Sequence, residues 1–538
     1  MRPCESAVVC TPKVRWSCAG RRQPNDRSAH PERSPRTAAR PWLGVVALGL
    51  TSIGVLAARA DWPLYRGPTG NGVSTERIRT DWNANPPKLL WRAPLTNGLS
   101  SVSVSGGRVF TQVRVGSTSA GTEYCVALDA RTGAFLWTAP VGLADYPGGG
   151  VGLDDGPRST PVVKDDRVYV LGSYLNLHCL EAATGKSIWA KDLRAEFGGD
   201  VIGWQNAASP LIEGDRLFLN VNAPPNRLVA LRLADGGLIW RKVNAQMTHA
   251  TPVAATIQGE RQIVFMAQEG AVGVDPATGQ ERWRYPFPYN TSTGASPTIE
   301  GDLVFCSAAY SKGSGAARIT RSGGSWTATP LWGPRSSRMI HWSTPVVVNG
   351  YVYGLFELGS IPLRCLDAQT GEDRWSVGGF GRGATLLVSG KILVVTEAGE
   401  AVLVEPDPAQ YRELARFQAL DSRVWNSPAI SDGVLFVRGT TEMAAFDLAA
   451  PPPPPLRLVA TLDRATGRVI FEVANVDGQP IEASRVAGIS LRHSNVVSVP
   501  VSDWTPAGVT LTLQSGTLRG EFEPPAGEAA MFFAVNEN

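Results

Sequence analysis

Charge is scarce in this chain: 18% of its 538 residues are Asp, Glu, Lys or Arg, and the formal net charge is +3. Even that small excess sits at one end. Residues 1–60 hold 10 of the 51 Lys and Arg but 3 of the 48 Asp and Glu, which leaves −4 on the remainder. A nucleic-acid-binding role needs a basic face to neutralise phosphates, and this distribution excludes one. Long apolar runs are equally rare. The uncharged stretch from Trp42 to Ala58 has 17 residues, short of the ~20 that cross a bilayer as a helix, so a multi-span membrane protein is excluded. Of the five His, four (His178, His249, His341 and His493) follow residue 60 and lie far apart, and no His/Cys metal-ligand spacing occurs. The Gly-rich loop Tyr146–Gly156, with Asp154-Asp155 near its end, lacks the Lys-Ser/Thr of a phosphate loop and any following helix pattern. It reads as a solvated loop, and no metal site is expected. What is present, 43% hydrophobic residues with 57 Gly and 40 Pro, describes a packed, turn-rich protein and not a disordered one.

The amino-terminal 60 residues read as an address. An Arg-, Pro- and Ser-rich segment precedes the apolar run, and Ala58-Arg59-Ala60 offers small residues where a signal peptidase cuts. Export to the periplasm or the cell exterior is expected, with a single amino-terminal membrane anchor as the alternative. Three of the seven Cys fall in this leader. Cys125, Cys179, Cys306 and Cys365 follow it; the first two and Cys365 stand at equivalent positions ahead of Thr-Gly turns in separate repeats, and all four read as small buried hydrophobes.

Residues 61–448 are organised by an internal repeat. Asp129–Gly133, Glu181–Gly185, Asp275–Gly279 and Asp367–Gly371 each end in Thr-Gly, and each is followed four residues later by a Trp: Trp137, Trp189, Trp283 and Trp375. Looser copies end at Trp240 and Trp332. The acidic side chain can cap backbone N–H groups two residues on, and the Gly supplies the positive φ of a tight reversal. Upstream of these turns stand Ser/Thr-Pro pairs (Thr160-Pro161, Ser209-Pro210, Thr251-Pro252, Ser296-Pro297, Thr344-Pro345, Ser427-Pro428), each opening a short strand where Pro costs no ladder bond. One repeat therefore supplies about four short strands, the blade of a β-propeller. Eight second strands can be counted, centred on Val109, Val168, Leu217, Val264, Val304, Val352, Leu393 and Leu435. The last blade lacks its Trp-bearing strand, and the orphan Leu89-Leu90-Trp91 strand is expected to supply it. The fold class is thus all-β: an eight-bladed propeller (61–448), a polyproline linker (449–455) and a small β-sandwich-like domain (456–538).

The repeat Leu-Asp-Ala-x-Thr-Gly-x-x-x-Trp, the Gly156–Pro161 segment and the opening Asp61–Ser74 together resemble the pyrroloquinoline-quinone-type (PQQ-like) repeat propellers. That family includes quinoprotein alcohol and sugar dehydrogenases and BamB-type scaffolds of outer-membrane assembly. The resemblance implies a choice between pyrroloquinoline quinone with calcium and no cofactor. The adjacent-Cys disulfide on which the alcohol dehydrogenases stack their quinone is missing, since no Cys-Cys pair exists. The residue after Ala60 is Asp61 and not the lipid-bearing Cys of the scaffolds, so no lipid anchor is expected. The reading is a non-catalytic binding or scaffold module, with a quinone-dependent dehydrogenase of modified site as the alternative.

Geometry nominates the site. The first strand of a blade lines the central channel, so residues leading into these strands crowd round one mouth. They are Arg158, Asn206, His249, His341, Trp342, Arg382, Trp425 and Asn426. Guanidinium groups, imidazoles and indoles suit a protein partner or a small anionic or aromatic ligand.

Overall fold

The computed structural model describes residues 44–47, 60–147, 152–357, 360–463, 465–494, 504–523 and 530–537. The expected leader, apart from residues 44–47 and 60, and Gly148–Val151 of the Gly-rich loop lie outside them. The chain divides into two units, Gly54–Pro452 and a second made of residues 1–53 with Pro453–Asn538. No helix among the described residues is long and apolar enough to cross a membrane.

Among the described residues the first unit has eight sheets, each built on four antiparallel strands, running through residues 103–144, 162–192, 211–242, 253–286, 298–335, 346–377, 384–418 and 429–447. The eighth sheet has three strands from that last span, and Lys88–Pro94 completes it by pairing antiparallel with Glu442–Asp447. Early and late segments of the first unit thus meet in one sheet. The amino-terminal segment also adds Val73–Ser74 in parallel to the seventh sheet.

The repeat motif acts between sheets as well as within them. In Asp129–Gly133 the Asp129 carboxylate accepts from Arg131 N (3.1 Å) and Thr132 N (2.8 Å), which holds the turn. The residue before each Trp is a β-bulge: Trp137 faces Ala127 while Phe135 faces Leu128, so Leu136 is unpaired. A bulge twists its strand and re-aims the side chain beyond it. The Trp consequently leaves its own turn and docks on the next sheet's. Trp91 Nε1 donates to Ala130 O (2.9 Å), Trp137 to Ala182 O (3.1 Å), Trp240 to Pro276 O (3.0 Å) and Trp332 to Ala368 O (2.9 Å). The Thr-Gly glycine is the seat for the ring. A Cβ on Gly133 (φ +71°) would lie 2.6 Å from Trp91, and one on Gly279 (φ +71°) 2.5 Å from Trp240. The fifth sheet has no such turn, and Trp283 is folded back onto Gln262 Oε1 (2.7 Å) of its own sheet.

The Ser/Thr-Pro residues form a second set of clips, at the first strands. Ser209 Oγ accepts from Thr160 N, Thr251 Oγ1 from Ser209 N and Thr344 Oγ1 from Ser296 N, all at 2.9 Å. Ser101 Oγ accepts from Ser427 N at 2.8 Å, which joins the eighth sheet to the first. The hydroxyl satisfies a buried N–H that strand pairing cannot reach, and this gives the motif's first residue its purpose. Cys125, Cys179, Cys306 and Cys365 are buried, free thiols.

The second unit holds two four-stranded sheets, one from residues 456–475 and 512–522, the other from residues 489–494, 505–506 and 530–537 joined in parallel by Gly44–Ala47. They share a core in which Phe471 meets Phe533 edge to face, with ring centroids 4.7 Å apart. A further Asp-x-Ala-Thr-Gly turn closes its first hairpin, where Gly467 N donates to Asp463 O at 2.7 Å. No Trp sits on this glycine, and a Cβ there would meet nothing within 4 Å.

Candidate functional site

The segments leading into the first strands enclose a cavity of about 410 Å³. Six of the eight nominated residues line it: Arg158, His249, His341, Trp342, Arg382 and Trp425. Asn206 and Asn426 do not. Both are buried, and their amides bond backbone carbonyls, Asn206 Nδ2 to Ala208 O (3.0 Å) and Asn426 Nδ2 to Ser100 O (2.6 Å). They brace the lead-in segments from behind.

Aromatic rings form a continuous wall. Trp425 packs on Trp342 (centroids 4.9 Å apart), Trp342 on His341 (4.5 Å) and His341 edge-on to Tyr310 (5.0 Å). Tyr310 then lies nearly parallel to Trp204, at 17° and 6.5 Å, and Trp204 meets the edge of His249 at 6.4 Å. Tyr310 and Trp204 are site residues that the repeat pattern conceals. Trp204 has a signal, being an indole outside the Thr-Gly register. Tyr310 has none, since it sits on a hairpin turn of the fifth sheet between Leu303–Ala308 and Gly313–Ser322.

The charges along this wall are matched in pairs. Arg158 Nη2 donates to the buried Asp155 carboxylate (2.7 Å), Arg382 Nε faces Glu357 Oε1 (3.4 Å) and Arg423 Nη2 donates to Asp154 Oδ2 (3.1 Å). Glu397 accepts from Trp425 Nε1 (2.8 Å) and from Arg382 N (3.0 Å). Arg382 also lies over Trp342 (5.6 Å) and Arg423 over Trp425 (4.3 Å), so the guanidinium groups cover indole faces. Burial pushes both imidazoles down to about 4, His249 with help from the Arg158 charge and His341 from Arg382 and His249. Both are therefore neutral near pH 7. Burial pushes the Glu357 carboxyl up, against the pull of Arg382. Arg66, from the opening segment, also lines the cavity. It is buried, and it ties the sixth and seventh sheets together by donating to Pro345 O (3.2 Å) and Thr385 O (3.0 Å).

A family profile described as outer membrane protein assembly factor BamB, of the PQQ-repeat type, matches residues 121–354 and 359–528. The chain belongs to this BamB-like PQQ-repeat family. Its curated relatives include outer membrane protein assembly factor BamB of Moranella endobia, 26% identical over 266 residues, 45% of this chain and 63% of that protein. Quinoprotein ethanol dehydrogenase of Pseudomonas aeruginosa is 29% identical over 169 residues, 28% of this chain and 26% of the enzyme. The chain thus spans less than two thirds of each of these relatives. The quinohemoprotein alcohol dehydrogenase structure from Comamonas testosteroni superposes with a TM-score of 0.50 at 15% identity, covering 76% of this chain and 84% of the other. The fold is therefore the BamB-like PQQ-repeat propeller.

The family raises the question of a quinone held with calcium, and the residues lining the cavity do not fit that pair. Calcium needs six or more oxygen ligands converging on one point. Among the described residues no three His, Cys, Asp or Glu side chains converge as a metal site. The carboxylates of the wall, Asp155, Glu357 and Glu397, are instead turned onto guanidinium, indole or backbone donors.

Proposed function

We propose that the eight sheets are the blades of one closed propeller and that the protein is an exported binding module whose ligand seats at the channel mouth. The observation that carries this reading is the aromatic wall from Trp425 to Trp204 bordering the 410 Å³ cavity. Such cavities, apolar with a few converging polar groups, are the usual form of a small-molecule site. Arg158, Arg382 and Arg423 each face a carboxylate already, which favours a flat, uncharged ligand group over an anionic one. Binding is the role, and quinone redox chemistry is not part of it.

The test compares the wild-type protein with a variant carrying Arg158→Ala, His341→Ala and Trp342→Ala. Tryptophan fluorescence and calorimetry would follow titration with aromatic compounds, sugars, peptides and pyrroloquinoline quinone with calcium. A ligand whose affinity falls in the variant while the melting temperature holds supports the reading. Loss of stability with no ligand bound by either protein refutes it, and dye reduction by the quinone-loaded protein would move the assignment to a dehydrogenase.

A further inference from the structure

One corner of the cavity holds a polar pair that a binding role does not need. Ser292 Oγ lies 2.9 Å from His249 Nδ1, and His249 Nε2 lies 2.9 Å from Gly203 O. A carbonyl oxygen can only accept, so Nε2 carries the imidazole proton. Nδ1 is then an acceptor, and the Ser292 hydroxyl must donate to it. This is a hydroxyl hydrogen-bonded to a neutral base whose tautomer and orientation are held by a third group, the arrangement that activates a serine nucleophile. Both side chains are buried, yet both line the cavity and so face whatever enters it.

Backbone strain collects at the same corner. Thr291, directly before Ser292, has φ +60°, and Trp204-Gln205 hold φ of +64° and +57°. For a β-branched residue such as Thr291 this is a true outlier. Other positive-φ residues, such as Asp165, Asn349, Ser389 and Asp432, lie in hairpin turns that call for that conformation. Strain of this kind persists where surrounding structure imposes it, and it clusters at reactive sites. The Trp204 and Tyr310 rings line the cavity as two nearly parallel walls, with His249 against the edge of Trp204.

We propose that Ser292 is an acyl-accepting nucleophile with His249 as its base, acting on esters whose planar aromatic part stacks at Trp204 and Tyr310. The proposal goes beyond binding but rests on the same cavity admitting a ligand. In the first step Ser292 Oγ bonds to the ester carbonyl carbon, its proton passes to His249 Nδ1, and the carbon–oxygen bond to the alcohol breaks as that proton moves to the leaving oxygen. Water then attacks the acyl-serine. Its proton passes through Nδ1 to Ser292 Oγ, releasing the acid and restoring the pair. The negative charge develops on the carbonyl oxygen, inside a cavity that Arg158 also lines. Ser343, which lines the same cavity, has a buried hydroxyl with no hydrogen-bond partner among the described residues, a spare donor for that oxygen.

The full chain would be treated with diisopropyl fluorophosphate and, separately, with 1-naphthyl acetate, and the site of modification read by peptide mass. A single adduct on Ser292 is expected, absent from Ser292→Ala and slowed about 100-fold or more in His249→Gln. Ser292→Cys, which keeps a group of similar size toward His249, serves if the Ala variant does not fold, and should move labelling to the thiol. Trp204→Ala should lower kcat/KM about tenfold for the naphthyl ester and leave a small alkyl ester unaffected. An adduct elsewhere, or equal labelling in His249→Gln, overturns the proposal. Tryptophan quenching by 1-naphthol separates the two readings: quenching without an adduct overturns the nucleophile and leaves binding standing, whereas neither signal overturns both.

Discussion

Gly133→Ala should unlock the contact by which the eighth sheet meets the first. Gly133 sits at φ +71°, and an added Cβ would come within 2.6 Å of Trp91 Cε3 and 2.7 Å of Cδ2. Two costs follow. An L side chain in the left-handed region costs about 1–2 kcal/mol. The ring must also lift away, which breaks the bond from Trp91 Nε1 to Ala130 O (2.9 Å), a loss of about 1 kcal/mol. Trp91 is 7% exposed, and returning about half of an indole's ~200 Å² to water costs about 2.5 kcal/mol more. Gly214→Ala is the control, because Gly214 has φ +63° and a Cβ there would meet nothing within 4 Å. It incurs the backbone cost alone. The difference between the two variants is then about 3–4 kcal/mol. For a unit the length of Gly54–Pro452 the unfolding entropy is about 0.8 kcal/mol/K, so Gly133→Ala should melt about 4 °C below the control by calorimetry. In a Trp91→Ala background the two substitutions should cost the same. Equal melting temperatures for Gly133→Ala and Gly214→Ala in the wild-type background would refute the docking argument.

Other outcomes follow from the same structure. His249, held near 4 in the fold and near 6.5 when unfolded, binds a proton more readily in the unfolded chain. Its contribution is therefore intact above about pH 6.5 and is lost as pH falls towards 4, by about 3 kcal/mol at most. Glu357, pushed up by burial, works in the opposite sense, being fully favourable at low pH and less so as pH rises through its folded value. Urea midpoints at pH 7 and pH 5 should show the net acid loss, and His249→Gln should reduce it. Ser209→Ala removes the acceptor for Thr160 N and should cost about 1–3 kcal/mol, measured by urea denaturation, because a buried donor is left unsatisfied. The four thiols are buried, and burial pushes Cys179 up to about 11 and Cys365 up to about 12. A thiol reagent should leave Cys125, Cys179, Cys306 and Cys365 unmodified at pH 7 until denaturant is added, and faster reaction in the native protein would contradict their placement.

Sequence alone determined the sheets. Asp129–Gly133 and its copies close a turn through bonds within five residues, and alternating strand residues on either side settle which face packs inward, so each sheet was legible without its neighbours. The missing strand was legible too, because Leu89-Leu90-Trp91 carried the repeat's Trp with no turn ahead of it, and it pairs with Glu442–Asp447. The position of Arg158, His249, His341, Trp342, Arg382 and Trp425 ahead of the first strands brought six residues to one cavity. Tertiary structure alone decided the rest, since it lies between repeats. A bulge that turns Trp137 from its own turn to Ala182 leaves no mark in residue spacing. Nor does a hydroxyl clip such as Thr160 N to Ser209 Oγ, which joins residues 49 apart. Asn206 and Asn426 occupied the right register, but their side chains turned to the backbone carbonyls of Ala208 and Ser100. Tyr310 reached the wall from a hairpin tip, and Asp155 and Glu357 cancelled charges that read as free in the sequence. Local hydrogen bonds write themselves into spacing, whereas contacts between sheets depend on which sheet lies next and at what distance, and only the tertiary structure supplies that.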